Sequence, residues 1–145
     1  METLLSNPVL RLFGVTYLIL VVKMVAVGYA TSFYRIRDKH FATPEDYRLQ
    51  GLKPKTGVNE DVERARRAHR NDLENILPYF GVGLLYALSN PSLGMARLYF
   101  IGFTAARILH SIFYLLQMQP WRTIVWGIGH ALLLFMVLST LLALW

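Results

Sequence analysis

Arg67, Arg70, Asn71 and Glu74 recur at i, i+3, i+4 and i+7, so a helix places two guanidiniums, a carboxamide and a carboxylate on one face. Arg66 and His69 flank that face. Two readings stand for it: the arginines pair with Glu74 on a solvated extension of the helix, or they receive an anionic guest. Arg107, His110 and Tyr114 make a second helical face. There Arg107 or Lys23 could bridge to Glu74, His110 could be a hydrogen-bonded core histidine, and Tyr114 could be an interface tyrosine or a hydroxyl donor to a ligand. One carboxylate at that depth for two cations leaves positive charge that an anionic ligand would neutralise. The step Pro120-Trp121-Arg122-Thr123 puts an arginine and a hydroxyl at the start of a helix. A helix N-terminus attracts anions, and positive surroundings stabilise a thiolate. The alternative is a snorkelling Arg122 with Thr123 as the helix cap. His130 reads as a satisfied core histidine.

The elements that must carry these residues are membrane helices. Crossing about 30 Å of hydrocarbon takes about 20 mostly apolar residues. Residues 9–33 form one such stretch, interrupted by Arg11 and Lys23. A signal peptide would stop after a short apolar run, but here apolar residues resume at Met24–Ala30. Residues 95–116 and 123–145 are further spans. Residues 73–88 make a fourth, with a helical pattern that reaches back to about 60. Asn59 is the expected N-cap of that helix, with Glu60, Asp61 and Glu63 in its first turn, where the helix dipole favours acids. Pro78 removes the N–H that the Glu74 carbonyl would meet, so a bend or opening is expected there. Asn90-Pro91 should end the helix in a turn. Arg107, near the middle of its span, cannot face lipid without a cost of at least about 2.5 kcal/mol.

The expected fold is therefore an all-α integral membrane protein, a bundle of four transmembrane helices forming a single domain over 1–145. The loop 34–72 holds most of the lysines, arginines and acids, and the positive-inside rule puts it in the cytoplasm with both termini opposite. Composition agrees: 54% of the 145 residues are hydrophobic and 17% charged, against roughly 25% charged in soluble domains. An aromatic share of 13% excludes a disordered chain. With no cysteine there is no disulfide, cysteine nucleophile or thiolate metal site. The four histidines lie on separate elements, so no metal site is expected. No acid is placed to complete a serine–histidine triad, and no glycine-rich phosphate loop occurs. The net charge of +6 does not indicate nucleic acid, because acids balance the basic residues of the loop. What remains is a cationic pocket at a membrane boundary, suited to a guest with an anionic head beside an apolar tail or co-substrate.

The run Glu63-Arg64-Ala65-Arg66-Arg67-Ala68-His69-Arg70-Asn71-Asp72-Leu73-Glu74-Asn75 resembles the signature of the MAPEG superfamily, the membrane-associated proteins of eicosanoid and glutathione metabolism. Phe41-Ala42-Thr43-Pro44-Glu45-Asp46 is similar to that family's loop motif, and Arg107, His110, Tyr114 and Pro120-x-Arg122 follow in its order. The likeness spans about Lys23 to Thr123. Asn71–Ile76 and Gly83–Tyr86 look most like the microsomal glutathione S-transferases, with the membrane prostaglandin E synthases second.

The resemblance implies a homotrimer that binds glutathione between neighbouring subunits. It assigns Arg35, Arg66, Arg67, His69, Arg70, Asn71, Glu74, His110 and Tyr114 to glutathione binding. Arg122 would stand beside the glutathione sulfur, Thr123 would keep a hydroxyl next to it, and Asp46 matches an acid implicated in the synthases. The implied activity is glutathione transfer to lipophilic electrophiles, with reduction of lipid hydroperoxides, in the endoplasmic reticulum membrane. The mitochondrial outer membrane is the alternative location. A prostaglandin isomerase and a non-catalytic lipid-binding scaffold are the competing functions. Tyr47 stands where the mammalian transferases carry a sensor cysteine, so thiol modification cannot activate this chain. Trp126 replaces a tyrosine of the synthases.

Overall fold

The computed structural model describes residues 6–145, and among them every regular element is helical. The helices are α1 (Pro8–Arg37), the short α2 (Pro44–Leu49), α3 (Glu60–Leu88), α4 (Leu93–Leu115) and α5 (Trp121–Leu144). Most starts are written locally. Asn7 Oδ1 accepts from the amides of Val9 and Leu10 at 2.9 and 3.2 Å, and Pro8 needs no donor partner in the first turn. Asn59 caps α3 through the Val62 amide at 3.0 Å, with Glu60, Asp61 and Glu63 following. Ser92 caps α4 through the Met95 amide. The turn between α3 and α4 has Asn90 at φ 56°, a left-handed conformation that asparagine tolerates.

One expectation about a helix end needs correcting. α5 begins at Trp121 with Pro120 in the cap position and no side-chain cap. Thr123 is therefore inside the first turn, and its hydroxyl meets the Gln119 side chain at 3.0 Å rather than capping the helix. Helix α3 runs unbroken through Pro78. The proline is exposed, so its ring has room and the freed carbonyl one turn back is the only local loss.

α1, α4 and α5 are each long and apolar enough to cross a membrane. Their outward faces agree: Leu18, Val22 and Val25 on α1, and Leu134, Phe135, Leu138 and Leu142 on α5, are all exposed. Contiguous apolar surface of this kind is expected where a membrane covers it. At 29 residues α3 is about 43 Å long. Its charged first half separates it in composition from the other three.

The helices alternate in direction, which sorts the interior into two halves. At the end holding the 89–92 turn, the core is aromatic. Tyr79 stacks on Phe103 with centroids 4.4 Å apart, and Phe13 packs against Phe100 at 5.5 Å. Two tyrosine hydroxyls inside this half are paired: Tyr79 Oη with Thr16 Oγ1 at 2.8 Å, and Tyr99 Oη with Ser139 Oγ at 3.0 Å, while Thr104 Oγ1 is buried without a partner among the described residues. Gly83 makes this packing possible, since a Cβ there would lie 2.7 Å from the Phe13 ring. The half nearer residues 38–59 and 116–120 is polar.

Candidate functional site

The polar half is built around Asp72. Helix α3 buries a stripe of mostly small or apolar residues, among them Val62, Ala65, Ala68, Ile76, Tyr79 and Gly83, and Asp72 lies in that stripe with 0% exposure. Its Oδ1 accepts from Lys23 Nζ of α1, and from Arg107 Nη2 of α4 at 2.8 Å. Ser111 Oγ approaches both carboxylate oxygens at 3.4 Å. Arg107, 1% exposed, also donates to Asn71 Oδ1 at 2.7 Å. Lys23, Arg107 and Asp72 thus answer the cost of charge at bilayer depth by mutual pairing.

This overturns the expected bridge to Glu74. Glu74 points outward from α3, is exposed, and pairs with neither Lys23 nor Arg107. The reason is angular. Glu74 lies two residues from Asp72, about 200° around the helix, so only one of the two can face the interior. Asp72 is legible as an acid on the apolar stripe of α3, although its position at the end of the charged stretch 34–72 groups it with the loop. The cation excess nevertheless remains, because one carboxylate serves two cations. Arg107 Nε and Nη1 are buried without a hydrogen-bond partner among the described residues.

A cavity of about 650 Å³ opens between α1 and α3, beside this core. Arg35, Arg66, Arg67, His69 and Arg70 line it, together with Thr31, Ser32 and Glu63. A smaller cavity of about 280 Å³ shares Arg35, Glu63 and Arg66 and extends to His40 and Phe41. Two of the arginines have acid partners: Arg66 bonds Glu63, itself in the lining, at 2.6 Å, and Arg67 lies 3.8 Å from Glu60 outside it. Arg35 and Arg70 carry no ion pair among the described residues. His69 Nδ1 is buried without a partner among the described residues. Cations outnumber acids in the lining, so the groove suits an anion with more than one carboxylate.

The junction beside the groove is fastened by exposed ion pairs. Arg37 reaches Asp38 at 2.6 Å and Asp61 at 2.6 Å, and Asn59 Nδ2 donates to Asp38 at 2.8 Å. The hydrogen bonds from Arg37 and then Asn59 hold the Asp38 carboxyl down to about 2. Arg37 likewise lowers Asp61.

The remaining candidates lie on α4 and α5. The Arg122 guanidinium sits over the Tyr114 ring, 4.5 Å from its centroid, and Tyr114 meets His110 edge-on at 5.5 Å. His110 is buried, and its Nδ1 has no partner among the described residues. His130 departs from the satisfied histidine expected: it packs on Trp126 at 4.6 Å, yet its Nδ1 is also buried without a partner among the described residues. None of Asn71, Glu74, His110, Tyr114, Arg122 or Thr123 lines the arginine groove. Within one chain the candidates therefore form two separate sets. Asp46 is exposed on α2 and belongs to neither. Among the described residues no histidine or acid cluster could hold a metal.

The family model of MAPEG matches residues 13–142. The chain is 43% identical to microsomal glutathione S-transferase 1 of Mus musculus over 141 residues, covering 94% of this chain and 91% of that protein. It is 41% identical to microsomal glutathione S-transferase 1 of Homo sapiens, covering 91% of this chain and 88% of the relative. Identity to the prostaglandin E synthase of Homo sapiens is 35%, over 86% of this chain and 83% of that protein. Taken with the helical bundle and its three apolar spans, these matches lead to one conclusion: the chain belongs to the MAPEG family.

Proposed function

We propose that this protein is a membrane glutathione transferase that conjugates the glutathione thiolate to lipophilic electrophiles and also uses glutathione to reduce lipid hydroperoxides. The observation that carries the reading is the groove of about 650 Å³ lined by Arg35, Arg66, Arg67, His69 and Arg70. Glutathione has two carboxylates and one ammonium. Arginine forks bind carboxylates bidentately, and Glu63 in the lining or Glu74 nearby offers an acceptor for the ammonium. The same helices present apolar faces through which an electrophile dissolved in the bilayer arrives.

Arg122 is assigned to the sulfur. A fixed guanidinium in the first turn of α5 adds to the helix N-terminus in favouring thiolate over thiol. The thiolate attacks the electrophilic carbon and the leaving group departs with its electron pair, so catalysis is thiolate generation plus positioning. Thr123 supplies a hydroxyl beside it, and Asp46 is the third catalytic candidate. Arg35, Arg66, Arg67, His69, Arg70, Asn71, Glu74, His110 and Tyr114 are the proposed glutathione contacts.

Because those residues fall into two sets within one chain, the working form is proposed to be a homotrimer in which the α1–α3 groove of one subunit meets α4 and α5 of its neighbour. In that assembly α3 is the fourth span of a single domain over 1–145, and loop 34–72 is cytoplasmic. The microsomal relatives favour the endoplasmic reticulum membrane as its location.

The test is conjugation of glutathione to 1-chloro-2,4-dinitrobenzene by the purified protein, with reduction of cumene hydroperoxide in parallel. Arg122→Ala should lower kcat on the order of 10²-fold, the effect of removing one donor to a developing anion, with glutathione affinity changed far less. Equal losses in both would make Arg122 a binding residue. Silence in both assays with glutathione still bound would favour a prostaglandin isomerase, and silence without binding would favour a lipid-binding scaffold.

A further inference from the structure

We propose that Arg107 is a positioning residue that locks the Asn71 carboxamide with its N–H2 turned to the ligand, and that Asp72 holds Arg107 in place for that purpose. This rests on the glutathione reading above. The geometry begins with the guanidinium, which can only donate hydrogen bonds. Arg107 Nη2 lies 2.7 Å from the Asn71 side-chain oxygen and 3.4 Å from the Asn71 backbone carbonyl. A carboxamide beside such a group must present its oxygen to it, so its nitrogen faces the other way. Asn71 Nδ2 makes no hydrogen bond among the described residues. The residue therefore offers a donor pair, suited to a carboxylate or carbonyl oxygen of a bound peptide.

Arg107 is itself constrained from the far side. Asp72 accepts from the same Nη2 at 2.8 Å, and the Asn75 side chain closes the Asn71 carbonyl at 2.7 Å. Three helices thus converge on one amide: α3 supplies it, α4 orients it, and Lys23 of α1 shares the anchoring carboxylate. A free asparagine in contact with solvent would present oxygen and nitrogen alike. One held by a buried guanidinium presents only nitrogen, which favours an anionic ligand group and rejects a cationic one.

Lys23→Met and Arg107→Met are a matched pair for the test. Each removes one cation and leaves Asp72 in a neutral pair with the other, but only Arg107→Met frees the Asn71 amide. Glutathione binding is measured by equilibrium dialysis on the full chain in detergent micelles, with kcat and KM from the conjugation assay. Affinity is expected to fall about tenfold in Arg107→Met, the size of one charge-assisted hydrogen bond, and to change less than about twofold in Lys23→Met. KM for glutathione should rise in parallel, with kcat at saturating glutathione close to the parent. Equal losses in the two variants would overturn the positioning role and leave charge balance as the whole function of the cluster. Asn71→Asp keeps the test decisive even when Arg107→Met does not fold. It retains an acceptor for Arg107 and balances two cations with two carboxylates, yet it has no N–H to offer. It should lose at least as much affinity as Asn71→Ala, and retained affinity would overturn the inference. A parent chain that binds no glutathione would instead overturn the functional reading itself.

Discussion

The two halves of the bundle are made from the same four long helices and solve opposite problems. Around Phe13, Tyr79, Phe100 and Phe103 the interior is aromatic, and the Tyr79 hydroxyl is paired with Thr16. Around Lys23, Asp72, Arg107 and His110 it is charged, has more cations than acids, and leaves Arg107 Nε and Nη1 and His110 Nδ1 without partners among the described residues. Buried polar groups without partners usually cost about 1–3 kcal/mol each. Most of those among the described residues lie in the half beside the arginine groove, with Thr104 Oγ1 next to Phe103 as an exception, and that half is the one proposed to hold the site. Lipid gives no hydrophobic drive for helices to associate, so the aromatic half must rely on close packing and the polar half on mutual pairing.

Removing the anion should break the polar half most severely. Asp72→Ala leaves Lys23 and Arg107 buried without a counter-charge, and a loss of about 3–5 kcal/mol is expected. Thermal unfolding in detergent micelles reads it, and a variant as stable as the parent would show that the cluster does not hold the bundle. The aromatic half is probed by Gly83→Ala. Its Cβ would meet the Phe13 ring at 2.7 Å and Phe100 at 3.6 Å. Overpacking of that kind costs about 1–3 kcal/mol, and glutathione affinity should be little changed, since the site lies in the other half. Loss of binding together with stability would erase the division between the halves.

The smallest effect is expected outside the bundle interior, at the junction of α1 and α3. Asp38 is held down to about 2 by Arg37 and Asn59, so its contact stabilises the junction above the ordinary carboxylate value of about 4 and is lost as pH falls between those two values. Amide protection near residues 38 and 59–61, measured against the intrinsic exchange rate at each pH, should fall over that range while the transmembrane core stays protected. Exposed pairs contribute little, so Asp38→Asn should leave the unfolding midpoint close to the parent's. A large shift would mean that the junction, and not the core cluster, carries the electrostatic stability.

The sequence by itself determined much of the architecture. The α3 start at Asn59–Glu60, its end near Leu88, and three apolar spans follow from capping, turn chemistry and hydrophobic length. Those are local rules, and membrane spans obey them closely because every backbone group in lipid must be satisfied within its own helix. The family was also legible, because residues 63–75 carry an unusual density of arginines on a helix that then becomes apolar. The sequence placed both Asp72 and Glu74 on α3, and tertiary structure decided which of them meets the buried cations. Spacing permitted Glu74, but the rotation of α3 against α1 and α4 is set by packing of Ala65, Ala68 and Gly83, and that rotation turns Asp72 inward. It likewise decided that Arg122 and Tyr114 pair with each other and do not line the arginine groove of the same chain. Helical periodicity gives each residue's angle about its own axis, but only helix-to-helix contact fixes which neighbour that angle faces.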